Sequence, residues 1–270
     1  MCRALRVSRS GYYAWRTRPE NRWEREERLL AIEIKAIHVE AGGHYGSPRM
    51  TLALNARGIR CSENRVARIM REYGIRAKRS RRFKATTDSG HDLPVAPNLL
   101  ERDFEPEGPN QVWAADITYI PTDEGWLYLA VVLDLWSRKI VGWSLRSRMT
   151  QRLVIEALRQ AIGERKPDAG LIAHSDRGSQ YCSAAYRRLL ERQGMAQSMA
   201  RKGDCWDNAP VESFFSTLKL ECIYQNRYNT RQQARRDIFA YIEAFYNTKR
   251  IHTSIGNQSP VAYEELMSSA

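Results

Sequence analysis

The sequence has little of what would take it out of the ordinary globular class. Its five cysteines, Cys2, Cys61, Cys182, Cys205 and Cys222, are scattered, odd in number and without a Cys-x-x-Cys pair. Neither a disulfide framework nor a zinc ribbon is indicated, and a reducing interior fits best. The longest apolar run, Trp126 to Leu133, is far too short to span a bilayer. The opening Met1-Cys2-Arg3-Ala4-Leu5-Arg6 lacks the apolar stretch of a signal peptide. Together these predict a cytoplasmic protein with no membrane partner. Internal repeats and low-complexity tracts are also missing.

What the chain does have is positive charge, unevenly placed. The formal net charge is +12, and residues 1 to 100 hold 21 Lys+Arg against 10 Asp+Glu, while residues 101 to 270 hold 22 against 21. The basic part suits a polyanion, either nucleic acid or an anionic membrane; the alternative is a solvated basic face. A length of 270 residues with 43% hydrophobic and 27% charged residues predicts a folded protein of two domains.

Glu24 to His38 sets Leu29, Leu30, Ile32, Ile34 and Ile37 among charges in a helix-like pattern. Ser47-Pro48 opens a short helix through Asn55, Gly58 breaks it, and Ser62 caps a second helix to about Tyr73. On that second helix Val66, Ile69, Met70 and Tyr73 are expected inward, and Asn64, Arg65, Arg68 and Arg71 outward. This is a helix-turn-helix outline whose outward side chains suit a major groove, or else an ordinary helical hairpin. A basic run from Arg76 to Lys84 leads into an aperiodic, linker-like stretch at 85 to 100. Beyond it, strands are predicted at 111–120, 127–133 and 140–145, followed by a helix at 151–164, a strand at 171–174, a helix at 184–193 and a strand at 196–200. Residues from Ala209 on read as helical, including 231–246. Strands first, then alternation, predicts a mixed sheet with helices on its faces.

Three acids occupy unusual places. Asp116 lies within the apolar strand Val112 to Tyr119, where a carboxylate needs a partner, a hydrogen-bond cage or a metal. Asp176 follows a strand end, where α/β sheets present functional groups. Glu212 sits in the first turns of a helix announced by Asp207-Asn208 and Pro210, with Val211, Phe214, Phe215 and Leu218 as the inward stripe and Lys219 seven residues on. Taken singly, each has an ordinary reading: half of an ion pair, a turn residue, a charge favoured at a helix N-terminus. Taken together, three carboxylates from separate elements suffice to hold hard divalent cations for phosphoryl displacement.

The stretches VWAADITYI, LIAHSDRGSQY and KGDCWDNAPVESFFSTLKLE closely resemble the catalytic signatures of bacterial insertion-sequence transposases of the OrfB type, which share an integrase-like core with retroviral integrases. Asp176 and Glu212 stand 36 positions apart, which is that family's spacing. The opening VSRSGYYAW and the tail YNTKRIHTSIGNQSPVAY are similar to the family's ends. The resemblance implies an α/β fold: a ribonuclease-H-like mixed sheet flanked by helices, with an N-terminal all-helical helix-turn-helix-like domain. It implies a basic DNA-binding region over 1–84, a linker at 85–107, a catalytic core over 108–225 and a helical extension over 226–270.

By the same resemblance, Asp116, Asp176 and Glu212 are catalytic and hold two Mg2+ or Mn2+ ions. Hydrolysis would free a 3′-hydroxyl at an element end, and that hydroxyl would attack another phosphodiester with no covalent protein intermediate. Lys219 would contact end DNA, with Arg65, Arg68, Arg71 and Lys202 as further DNA contacts. Implied partners are element ends and target DNA, an upstream OrfA product joined by frameshifting, and further copies of the chain on DNA, at the bacterial nucleoid. Retroviral integrases begin with a His-His-Cys-Cys zinc domain, but His38 and His44 have no following cysteine pair, so no structural zinc is expected. Cys205 and Trp206 are expected to pack in a loop near the site, and His174 to help orient Asp176. The competing readings are a metal-dependent nuclease of the same fold and a DNA-binding regulator without catalysis.

Overall fold

The computed structural model describes residues 7–78, 94–101, 104–201 and 208–269, and the chain divides into two compact units, Met1–Lys78 and Arg79–Ala270. The first holds four helices among its described residues: α1 (Arg9–Thr17), α2 (Arg22–Glu40), α3 (Ser47–Ala56) and α4 (Glu63–Glu72). A capping box opens α2: the Asn21 side chain accepts from the Glu24 N–H, and the Glu24 carboxylate accepts from the Asn21 N–H. Two N–H groups that a helix start leaves without partners are thereby satisfied. Ser62 caps α4 through the Arg65 N–H.

Leu30, Ile34 and Ile37 of α2, Met50 and Leu54 of α3, and Val66, Ile69 and Met70 of α4 are buried where these three helices meet. Their three- and four-residue spacing is the helical stripe the sequence predicts. Tyr73 departs from it. It stands where α4 has ended, with the chain already leaving the helical path, and is 44% exposed, with the Lys35 ammonium 4.6 Å from its ring centre. The sequence reading did not anticipate α1, which buries none of its residues.

The second unit is built on a five-stranded sheet in the order β3-β2-β1-β4-β5, formed by β1 (Val112–Ile120), β2 (Leu127–Asp134), β3 (Ile140–Arg146), β4 (Ile172–Ser175) and β5 (Ala196–Met199). The first three strands pair antiparallel, and β4 pairs parallel with β1 and with β5. Alternate side chains point to opposite faces of a strand. Trp113, Ala115, Ala130 and Val132 accordingly pack with α5 (Gln151–Arg165) and α6 (Ala184–Arg192). Val112, Ala114, Leu129 and Val131 pack with α7 (Ala209–Glu221) and α8 (Arg231–Phe239). This is the expected mixed sheet with helices on both faces.

Two details refine that expectation. The predicted helix over 231–246 is α-helical only to Phe239, and Ala240–Tyr246 is π-helical. The wider turn presents Tyr241, Ile242 and Tyr246 inward together. A last helix, α9 (Pro260–Ser268), falls within the stretch from Ala209 that the sequence reads as helical, after a non-helical break.

At Gly142 of β3, α5 packs directly against the strand backbone. A Cβ there would lie 2.3 Å from the Ala157 carbonyl oxygen and 2.8 Å from the Ala161 Cβ. We expect Gly142→Ala to destabilise the fold by about 1–3 kcal/mol through overpacking. The check is a lower urea midpoint with an unchanged slope.

Candidate active site

The strand register builds the site. In the parallel pairing of β1 with β4, Ala115 is the last partnered residue and stands opposite Ser175. One step further along each chain come Asp116 and Asp176. Neighbouring strands lie about 4.8 Å apart and in-register side chains share a face, so the two aspartates emerge side by side. On its other edge β1 stays paired to β2 as far as Ile120, which holds Asp116 firmly in extended backbone.

Local hydrogen bonds fix each carboxylate. Asp116 Oδ1 accepts from the Ile117 N–H at 2.7 Å. Asp176 Oδ1 accepts from the Gly178 N–H at 2.9 Å, and the Ser175 hydroxyl donates to the Asp176 carbonyl at 3.0 Å. This tight turn ends β4. A side chain at position 178 would begin 2.9 Å from Asp176 Oδ1 and would press on that carboxylate.

Helix α7 crosses the same face. Asn208 was expected to cap it, but its side-chain amide donates instead to the Ala115 carbonyl at 3.4 Å, tying the helix start to β1 one residue before Asp116. Val211, Phe214, Phe215 and Leu218 face inward as predicted. Glu212 is exposed in the first turn. Lys219 is nearly buried, with Nζ 5.2 Å from the Tyr119 ring centre.

The electrostatics join these groups into one cluster. Asp116 is held well above the usual carboxylate range, first by desolvation and next by the charge of Asp176, with Glu212 adding to the effect; the Ile117 N–H and Lys219 oppose it. Desolvation raises Glu212 as well. It also lowers Lys219, against the pull of Asp116. An acid whose pKa is raised by two neighbouring acids, as Asp116 is, marks a deficit of positive charge that a divalent cation supplies. The donor set, three carboxylates, is that of a hard cation. Among the described residues no three His, Cys, Asp or Glu side chains stand close enough together to hold a metal ion, so the fit is one of donor chemistry and charge.

Tyr181 belongs to this neighbourhood and was missed at the sequence level, where its place at the end of LIAHSDRGSQY was the only signal. It is fully buried, edge-on to Tyr186 at 5.3 Å. Its phenol is raised by burial and then by Asp116 and Asp176. His174, expected to orient Asp176, places Nδ1 2.9 Å from the Ser198 hydroxyl, linking β4 to β5.

The proposed DNA contacts are placed unequally. Arg71 is exposed on α4. Arg65 and Arg68 are half-buried and share Glu27 of α2, and Arg68 also pairs with Glu72 at 2.9 Å. Lys202, Cys205 and Trp206 lie outside the described residues.

Comparison with known proteins places the chain in a family. Models of an integrase core domain match residues 106–205 and 193–260, and an HTH-like domain model matches residues 24–83. The chain is 48% identical over 267 residues to the transposase InsF for insertion sequence IS3A of Escherichia coli (strain K12), covering 98% of this chain and 92% of that protein. It is also 48% identical to a 31 kDa protein of insertion element IS600 of Shigella sonnei, over 98% and 97% of the two chains. One chain of a simian T-cell lymphotropic virus intasome, solved with PP2A regulatory subunit B56 gamma, shares the fold at a TM-score of 0.51 and 16% identity, over 79% of this chain and 69% of that one. The chain therefore belongs to the integrase-core transposases of bacterial insertion sequences, the family that includes InsF, and is a DNA transposase of the polynucleotidyl-transferase type.

Proposed function

We propose that Asp116, Asp176 and Glu212 hold two divalent cations, magnesium or manganese, for cleavage at insertion-sequence ends and for joining of the freed 3′-hydroxyl to a second phosphodiester. The observation that supports this reading is the β1–β4 register, which ends with Ala115 opposite Ser175, one residue before each aspartate, together with the charges of Asp176 and Glu212 acting on Asp116. When bound, such ions polarise the phosphate and stabilise the attacking and leaving oxygens of an in-line displacement. The residues supply the rest. Three carboxylates would repel a phosphate, so they admit DNA only with their charge compensated. Lys219, within reach of the same cluster, suits a phosphate next to the one that reacts.

The helical unit supplies the grip on duplex ends, with α4 as the element that enters a groove. Arg71→Ala is expected to weaken binding across sequences and to reduce the slope of log affinity against log salt by about 1. Arg68→Ala is expected instead to lower the stability of the helical unit, because it releases Glu27 and Glu72. Salt titrations of both variants separate these roles. An upstream OrfA-type segment, joined by frameshifting, and further copies of the chain would complete the assembly on DNA in the bacterial cytoplasm, at the nucleoid.

The test mixes the chain, with and without an OrfA fusion, with a labelled duplex carrying element ends in magnesium, manganese or EDTA. Joined products that need metal and vanish in Glu212→Gln support the reading. Cutting without joining would favour a nuclease, and binding without cutting under every condition would favour a regulator.

A further inference from the structure

We propose that Tyr119, Trp126 and Tyr224 form a stacking platform for unpaired DNA bases beside the three carboxylates, a role that rests on the chain's reading as a DNA enzyme. Tyr119 lies on β1 three residues past Asp116. The Trp126 ring meets it edge-on at 4.9 Å. Tyr224 lies in the short 3-10 turn Ile223–Gln225 that follows α7, and its phenol is raised by burial and by neighbouring Tyr119. The three come from separate segments, yet each leaves a large part of its ring in solvent: 36% for Tyr119, 49% for Trp126 and 47% for Tyr224.

Exposed aromatic surface forgoes the burial that usually makes these residues worth having, so a cluster of it marks a binding face. The charges around the patch select the partner. Lys219 lies over the Tyr119 ring and interacts with the charge of Asp116. Charged groups are depleted from the centre of protein interfaces. A cation among aromatic rings is instead the arrangement that takes a base by its face and a phosphate by its charge. Tyr224 also lines a cleft of about 560 Å3 with Pro121, Thr122 and Arg227, within the size range of small-ligand sites. A strand separated from its complement near the cut would lay its bases on these rings.

The test measures affinity of the full chain, in metal-free buffer, for two labelled duplexes of one element end: fully paired, and with the last three pairs mismatched. Wild type is expected to prefer the splayed end. Trp126→Ala should weaken splayed-end binding on the order of 10-fold and leave the paired duplex within about twofold. Trp126→Phe should restore the preference, and Trp126→Leu, apolar but without a π face, should not. Equal loss on both duplexes, equal rescue by Leu and Phe, or no loss at all would overturn the proposal. So would a changed oligomeric mass in Trp126→Ala with splayed-end affinity intact, which would assign the face to protein contact. Wild type that prefers splayed ends but joins nothing in the metal-dependent assay would keep the platform and remove the chemistry assigned to the triad.

Discussion

Replacing Asp116 by Asn is expected to abolish strand joining while making the metal-free protein harder to unfold. The carboxyl sits among like charges and is desolvated, so the folded chain holds its proton more tightly than the unfolded chain does. The stability that goes with a raised carboxyl pKa is fully present below the ordinary carboxylate range and is lost as pH rises through the raised value. Once pH has passed that raised value, the ionised Asp116 is therefore a cost to the fold, and Asp116→Asn removes it. In EDTA the variant should melt above wild type at pH 8, with the gap narrowing as pH falls. Magnesium or manganese should raise the melting temperature of wild type and leave Asp116→Asn unmoved. Losing a ligand that contributes several kcal/mol of transition-state stabilisation should lower joining by about 10³-fold or more. A variant less stable than wild type in EDTA and indifferent to metal in both forms would make Asp116 a structural carboxylate.

The second large effect is expected at the far end of α7. Glu221 closes α7, and its carboxylate accepts from Arg250 Nε and Nη2 at 3.0 Å and from the Tyr241 hydroxyl at 2.7 Å. The Arg250 and Glu221 side chains are 7% and 10% exposed. Arg250→Ala would strand a buried carboxylate, at a cost of about 3–5 kcal/mol, read as a lower urea midpoint. Arg250→Lys should recover only part, because a point charge cannot replace the two-pronged guanidinium. Removing both charges with Arg250→Met and Glu221→Leu should recover most of the stability, since a buried pair replaced by apolar groups is often neutral. Full stability in Arg250→Ala alone would show that the pair holds nothing in place.

The sheet and its flanking helices were legible because buried strands here are rich in Val, Ile, Leu and Trp, and the helices carry clear apolar stripes. Asp116, Asp176 and Glu212 were proposed from their signatures rather than from periodicity. Register cannot be read from composition: that Ala115 faces Ser175, and so that each aspartate follows directly on a paired strand end, is a long-range fact of the sheet. The same holds for Arg250 and Glu221, a pair invisible along the chain and decisive in space. On α4 the sequence shows that Arg65 and Arg68 point away from the apolar stripe but not that Glu27 of α2 waits for both. Tyr119, Trp126 and Tyr224 looked like strand and turn residues, because an exposed ring and a buried one read alike in a sequence. The π-helical turn at Ala240–Tyr246 follows helix-forming residues with no local signal, set by the packing of Tyr241 and Tyr246.

The claim on which the rest depends is that these carboxylates bind the cation that drives joining, and Asp176→Cys tests it most directly. A thiolate is a poor ligand for hard magnesium and a better one for softer metals. The account predicts no joining by this variant in magnesium and recovered joining in manganese, on the same DNA and at the same protein concentration. Equal joining in the two metals, or joining that persists in EDTA, would contradict it.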